Sequence, residues 1–443
     1  MSDITDLLLQ GPRSAPELSQ RLSVSQATFS RLVAREEQIL RFGKARATRY
    51  ALIRPIRGLC RIPLWRVDER GQANKFADLF PCWPQGSCLV VTPSGNECWY
   101  DGIPWYLTDL RPQGFLGRAW GRKVAIQLNL PEDIRLWQED DILFALTVFH
   151  GECAGGWLVG EENYQRWINA QATPVIRHRE KLTEYARLAR NALSGEIVGS
   201  SAGGEQPKFT CYTQTSQRDA HVLVKFTVAQ QNAISQRWGD LLFAESIALQ
   251  LLRDAGIPAS EASAMAAPDG QVFLEAIRFD CIGESGRSAI VSLEAVQSEF
   301  VSSPGTWPGV MRQLLEKKLI SPETLRRTES IWAFGRLIAN SDMHGGNLSF
   351  YWSEPPFILT PVYDMLPMAY APNGAGMMRE TAADLTFDTT VSREAWLFAI
   401  PLAQTFWERV YQYERISEDF RRIAAEMPEK VSQLAVKVER MGA

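Results

Sequence analysis

The chain has no apolar run approaching the roughly 18 residues that a membrane-spanning helix requires, so no such helix is expected among its 443 residues. Its first residues, Met1-Ser2-Asp3-Ile4-Thr5-Asp6, carry acids where a secretory signal would carry bases, which predicts a cytoplasmic protein. Cysteine is scarce. The seven, at 60, 82, 88, 98, 153, 211 and 281, are odd in number and form no C-x-x-C pair, which argues against a disulfide framework or a zinc ribbon. Only four histidines occur and none sits in H-E-x-x-H, so that zinc-protease pattern is absent. Large charge of one sign is also missing. A net charge of −4 does not describe a generic polyanion binder.

What is present is the balance of a folded soluble protein, 45% hydrophobic and 22% charged residues. The length suggests two to four domains, with a core large enough to need no staple. The charge is unevenly placed. Residues 1–57 hold ten Arg/Lys against five Asp/Glu, a local +5 that leaves −9 on the remainder. One basic module on an acidic body is the expected arrangement.

Residues 1–54 read as three short helices and a basic hairpin. Residues 4–9 form an apolar-periodic segment stopped by Gly11-Pro12. Ser14 is a good N-cap for residues 15–21, with Pro16 in the first turn and Glu17 at capping-box spacing. Ser25 caps residues 26–36, which bury Phe29, Leu32 and Val33 and leave Gln26, Thr28, Ser30 and Arg31 facing outward. The short link between those helices fits a helix-turn-helix, whose second helix reads base edges in the major groove. Residues 39–52 alternate around Gly43 and resemble the wing of a winged helix, with Lys44, Arg46 and Arg49 as phosphate contacts. Duplex DNA is therefore the expected partner of this module. A small helical domain used for dimerisation is the plainer alternative.

Residues 55–135 are rich in Trp, Pro and short alternating strands, with an Asp-Gly turn at Trp99-Tyr100-Asp101-Gly102-Ile103-Pro104. No catalytic constellation appears there, and a small β-rich packing subdomain is expected. Residues 177–194 read as a strong amphipathic helix.

Chemistry concentrates after residue 195. Gly199-Ser200-Ser201-Ala202-Gly203-Gly204-Glu205-Gln206-Pro207-Lys208 is a Ser/Gly-rich segment whose backbone could approach phosphates; flexible surface loops look the same. The strand His221-Val222-Leu223-Val224-Lys225-Phe226 places a lysine in an apolar run, where it must find an anionic partner or shift its pKa. A helix carrying Glu245 follows, in the order of the kinase strand-lysine and helix-glutamate pair. Asn340-Ser341-Asp342-Met343-His344-Gly345-Gly346-Asn347 has the D-x-x-x-x-N spacing of a kinase catalytic loop. After a strand pair, Tyr363-Asp364 stands where a kinase places a Mg²⁺-binding Asp. One Asp can orient and deprotonate a hydroxyl, while an Asn and an Asp supply hard oxygen ligands to Mg²⁺.

The segments G-G-x-x-P-K, Ala255-Gly256-Ile257-Pro258, Glu275-Ala276-Ile277-Arg278-Phe279-Asp280, N-x-D-x-H-x-x-N and L-T-P-x-Y-D together resemble the HipA family of serine/threonine kinase toxins. A fused winged helix is similar to the stand-alone, YjjJ-type branch of that family. The resemblance covers residues 57–430. It implies Asp342 as catalytic base, Asn347 and Asp364 as Mg²⁺ ligands, and Lys225 on the α/β-phosphates. ATP would further meet Ser200, Ser201, Gly203, Gly204, Lys208 and His344, with Glu275, Ile277 and Phe279 near the hinge beside adenine. Ser200 or Ser201 would be an autophosphorylation site whose modification ejects the loop.

The expected fold is α+β: a winged helix (1–54), the β-rich subdomain (55–135), a kinase N-lobe (136–285) and a helical C-lobe (286–443). The leading function is Mg-ATP-dependent phosphorylation of Ser/Thr on a protein, acting as a toxin. The resemblance points to an aminoacyl-tRNA synthetase or another translation component as target. DNA binding would bring the protein to the nucleoid and its own promoter, and a homodimer stays open. A nucleotide-sensing transcription regulator and a small-molecule kinase are the alternatives.

Overall fold

A computed structural model describes residues 4–112, 114–148, 154–193, 206–373 and 376–440. Its elements follow local chemistry closely at the N-terminus. Helices span Ile4–Leu8, Ala15–Leu22 and Gln26–Val33. Ser14 closes a reciprocal capping box with Glu17, the Glu17 carboxylate accepting from the Ser14 amide at 2.8 Å. Ser25 Oγ accepts from the Thr28 amide at 3.2 Å. The third helix stops three residues before the expected end, where Glu36 and Glu37 would oppose the negative end of the helix dipole. Strands Ile39–Phe42 and Arg49–Leu52 pair antiparallel, and Arg13–Ser14 joins the outer edge of the second. Ile4, Leu8, Leu18, Phe29, Ile39 and Leu52 close a small core, against which Trp83 also packs.

Next comes a five-stranded antiparallel sheet, ordered Glu97–Tyr100, Cys88–Val91, Ala73–Pro81, Ile62–Val67 and Trp157–Val159. Its last strand comes from beyond residue 135. Helices Gly114–Leu128 and Glu139–Thr147 share its core through Trp120, Val124, Ile142 and Leu143. The N-terminal segment is fastened to this layer. Gly43 donates its amide to Glu97 Oε2 at 2.7 Å, the Phe42 and Trp99 rings stack at 5.8 Å, and Arg54 forms an ion pair with Asp140.

A four-stranded antiparallel sheet follows, ordered Ala262–Ala266, Val272–Ile277, Asp219–Phe226 and Lys208–Gln214. Helix Lys181–Leu193 covers one face, burying Tyr185 and Ala189 against Phe209, Val222, Val224 and Phe273. Helix Ala233–Asp254 covers the other and continues into the helical body. That body comprises Leu293–Phe300, Trp307–Glu316, Pro322–Leu337, Arg393–Gln412 and Glu418–Glu439, around buried Phe334, Trp396, Phe406 and Trp407. The whole is α+β. No described helix is long and apolar enough to cross a membrane.

Candidate active site

The site forms where the four-stranded sheet meets the helical body. Strand alternation aims Lys225 at the helix Ala233–Asp254. There Lys225 Nζ donates to both oxygens of Glu245 at 2.7 Å and also bonds Asp364 Oδ1. The buried lysine thus has two carboxylate partners. Burial works against its charge, but Asp364 and Glu245 outweigh that and raise its pKa. Burial likewise opposes the Asp364 carboxylate, and the ammonium of Lys225 overcomes it and holds Asp364 below the usual range.

Lys208 is the cross-strand neighbour of Lys225 and lies on the same face. Burial pushes it down to about 8, with Asp364 pulling upward and Lys225 adding repulsion. Two buried lysines side by side make a positive floor suited to phosphate oxygens.

The segment from Asn340 to Asn347 follows the helix Pro322–Leu337. Asn340 is buried and spans two loops, accepting the Asp342 amide at 3.1 Å and donating to the Asp364 carbonyl at 3.4 Å. Asn347 donates through Nδ2 to the Asp342 carbonyl at 2.8 Å, which leaves its amide oxygen for another ligand. Asp342 is half-exposed, and burial raises its pKa, with Asp364 adding to the rise and His344 opposing it. His344 Nε2 stands 3.9 Å from Asp342, while its Nδ1 accepts the Gly346 amide. Asp364 sits at φ +56°, a left-handed conformation that a non-glycine residue holds only under tertiary constraint. Tyr363 helps supply it, with its hydroxyl donating to the Gly346 carbonyl at 2.8 Å and lying 2.7 Å from Ser349 Oγ. Phe279 packs on Tyr363 at 5.7 Å.

Lys208, Lys225, Asp342, His344, Asn347 and Asp364 are therefore gathered at one place. Ser200, Ser201, Gly203 and Gly204 lie outside the described residues. Glu275 is not brought to the site. It pairs with Val224, one residue out of phase with Lys225, so its side chain leaves the opposite face of the sheet. There its Oε2 accepts from Lys181 Nζ and Tyr185 Oη, each at 2.6 Å. Ile277, in the same phase, packs on the core beneath that helix, while Phe279 alone of the three reaches toward Tyr363. Asn340 and Tyr363 were not singled out from the sequence, although the N-x-D and Y-D spacings carry both. Among the described residues no three His, Cys, Asp or Glu cluster as a metal centre. The oxygen donors of Asn347 and Asp364 are nevertheless of the hard kind that suits Mg²⁺.

The outward residues of the N-terminal segment lie far along the chain from this site. Gln26, Ser30 and Arg31 on the third helix are exposed, as are Lys44, Arg46 and Arg49 on the hairpin. Thr28 is half-buried, with its hydroxyl 3.0 Å from Ser25 Oγ.

Comparison with known proteins gives a consistent picture. A profile for the YjjJ-like toxin middle domain matches residues 59–168, and one for the HipA-like C-terminal domain matches residues 200–437. Toxin YjjJ of Escherichia coli (strain K12) is 69% identical over 442 residues, covering all of both chains. The HipA chain solved with HipB and operator DNA from Shewanella oneidensis MR-1 superposes with TM-score 0.50 at 16% identity, over 86% of this chain and 97% of that one. The Helicobacter pylori proinflammatory kinase CtkA gives TM-score 0.38 at 12% identity, over 53% of this chain and 91% of that one. The matched C-terminal profile spans more than half of the sequence and the relative spans all of it, so the chain belongs to the HipA family of toxins, in its YjjJ-type branch.

Proposed function

We propose that the protein is a serine/threonine protein kinase of toxin type, using ATP and Mg²⁺ to phosphorylate a protein target and its own Gly-rich loop. The observation that carries this reading is Lys225, tied to Glu245 on the neighbouring helix and to Asp364 beside the Asp342–Asn347 loop. In this reading the two lysines, Lys208 and Lys225, bind the phosphates of ATP. Asn347 and Asp364 hold Mg²⁺, which when bound neutralises phosphate charge. Asp342 orients the acceptor hydroxyl and takes its proton as that oxygen bonds the γ-phosphorus and the bond to ADP breaks. His344 lies beside Asp342, and Phe279 marks the hinge side. The 69% identity to a protein named as a toxin supports growth inhibition as the outcome.

Residues 1–54 are read as a winged helix that binds duplex DNA. Its exposed Gln26, Ser30 and Arg31 would face base edges, with half-buried Thr28 beside them against the Ser25 cap, and Lys44, Arg46 and Arg49 would take phosphates. The solved HipA complex contains an antitoxin and operator DNA. A covalently attached DNA module would serve this chain in an analogous place, and a translation component such as an aminoacyl-tRNA synthetase is the target class. A cytoplasmic protein held at the nucleoid follows from these assignments.

The direct test is phosphoproteomics after brief induction, wild type against Asp342→Ala. Phosphosites present only with wild type are expected. Identical phosphosite sets would remove the kinase reading. In the same samples, phosphate at Ser200 or Ser201 is expected in wild type alone. An unmodified loop on a protein that phosphorylates its target would end the self-modification reading by itself.

A further inference from the structure

A cavity opens beside the hinge segment, with none of the gathered lysines and acids projecting from its wall. It has a volume of about 920 Å³, within the range of small-molecule sites. The turn after strand Ile62–Val67, the hinge residues Ile277 and Phe279, and the Tyr351–Ser353 segment wall it. None of Lys208, Lys225, Asp342, Asn347 or Asp364 lines it.

Charged side chains in its wall are mostly spoken for. Asp68 accepts from the amides of Arg70 and Gln72 at 2.9 Å and from Asn74 at 3.0 Å. Arg218 pairs with Glu261, and Arg278 with Asp280. Arg287 donates to the carbonyls of Glu284 and Gly286. Arg66 differs. It makes no hydrogen bond or ion pair with any described residue, and its Nε is buried without a partner. Its guanidinium lies against the rings of Trp352 at 4.5 Å and Trp157 at 5.5 Å. Contacts of this kind spend none of the guanidinium N–H donors on hydrogen bonds. Burial also depresses its pKa to about 10. A second orphan donor, the buried Nε1 of Trp157, stands in the same cluster.

The geometry points to a binding site for a small organic anion, whose oxyanion group takes the in-plane donors of Arg66 and whose body fills the cavity beside Trp352. Aromatic packing presets the guanidinium, so little side-chain entropy is lost when the ligand arrives. The wall also holds Glu69, whose Oε1 accepts from Ser288 Oγ at 3.5 Å and partly balances Arg66, so a ligand of low charge carrying a single carboxylate or phosphate fits best.

Benzoate and phenyl phosphate separate the two head groups. Titrated calorimetrically into the full chain with saturating Mg-ADP present, at least one should bind. Charge-assisted bonds of this kind predict a loss of roughly tenfold or more in Arg66→Met, which keeps the apolar stem. No binding of either probe, or equal binding to Arg66→Met, overturns the proposal. Should that variant fail to fold, wild-type crystals soaked in p-iodobenzoate and, in parallel, in p-iodophenyl phosphate decide the matter. An iodine anomalous peak in the cavity, with the head group on Arg66, is expected from one or the other, and its absence from both is fatal to the assignment.

Discussion

At the scale of single residues, the site is an arrangement of charges that burial would otherwise forbid. Lys225 is kept charged by two carboxylates, while Asp342, nearer to solvent, has burial and Asp364 raising its pKa. A carboxylate raised this way is a better proton acceptor than a free one. Asp342→Ala should therefore lower single-turnover phosphoryl transfer by roughly 10²–10⁴-fold while leaving calorimetric Mg-ATP affinity near that of wild type. An unchanged rate would take the base assignment away from Asp342. Lys208 gives a prediction in pH. Its pKa in the free protein is pulled down to about 8, chiefly by burial, so it is protonated below that pH and loses its charge above it. An anion binds the protonated form more tightly and pulls the proton back on. ATP affinity should thus fall as pH rises through about 8, with proton uptake on binding in that window. Lys208→Met should be weaker at neutral pH and flatter across it. A wild-type affinity that does not vary between pH 7 and 9, read by calorimetry in buffers of different ionisation enthalpy, would remove Lys208 from the phosphate site.

At the scale of elements, the sheet separates chemistry from support. Lys208 and Lys225 leave one face toward Asp364 and the Asp342–Asn347 loop, and Glu275 leaves the other toward helix Lys181–Leu193. Removing one partner of a buried pair strands the other charge, so Glu275→Ala should cost roughly 3–5 kcal/mol of stability in denaturant titration. Its KM for ATP should stay close to wild type wherever the variant is folded. A large KM effect with little loss of stability would return Glu275 to the nucleotide. This is also where the sequence was least informative. The segment Phe273-Leu274-Glu275-Ala276-Ile277 is apolar enough to be a strand, but which of its faces meets Lys225 depends on register with a strand some fifty residues earlier, and Lys181 and Tyr185 are 94 and 90 residues away. Asp342 and Asn347 were legible because a short loop fixes their spacing, Asp364 because only one strand pair separates it from that loop, and Ser14 and Ser25 because caps act within three residues. The orphan Arg66 carried no local signal, since the rings it packs on, Trp157 and Trp352, and the hinge across the cavity lie far along the chain.

At the scale of the whole molecule, the question is whether the basic N-terminal segment is a passenger or a fixed part of the body. Its hairpin shares a buried cluster with the next layer, where Phe42 and Ala51 meet Cys82 and Leu89. Trp83 fills the edge of its own small core, and the ties of Gly43 to Glu97 and Arg54 to Asp140 cross the same boundary. A fragment ending at residue 54 would expose that apolar face and lose Trp83, and so should melt at a clearly lower temperature than a fragment of residues 1–168, followed by circular dichroism. Equal melting would mark an independent module. The same attachment makes the full chain the proper probe of DNA binding. With Asp342→Ala to remove phosphoryl transfer, affinity for duplex DNA should fall steeply with salt, and each phosphate contact removed should flatten the log–log slope by roughly 0.9. Arg46→Ala with Arg49→Ala, both on the exposed hairpin, should then weaken binding and reduce the slope together. Weakening without a change of slope would mean that these arginines stabilise the hairpin rather than touch phosphates, and no binding even at low salt would leave the segment as a packing element of the kinase-like body.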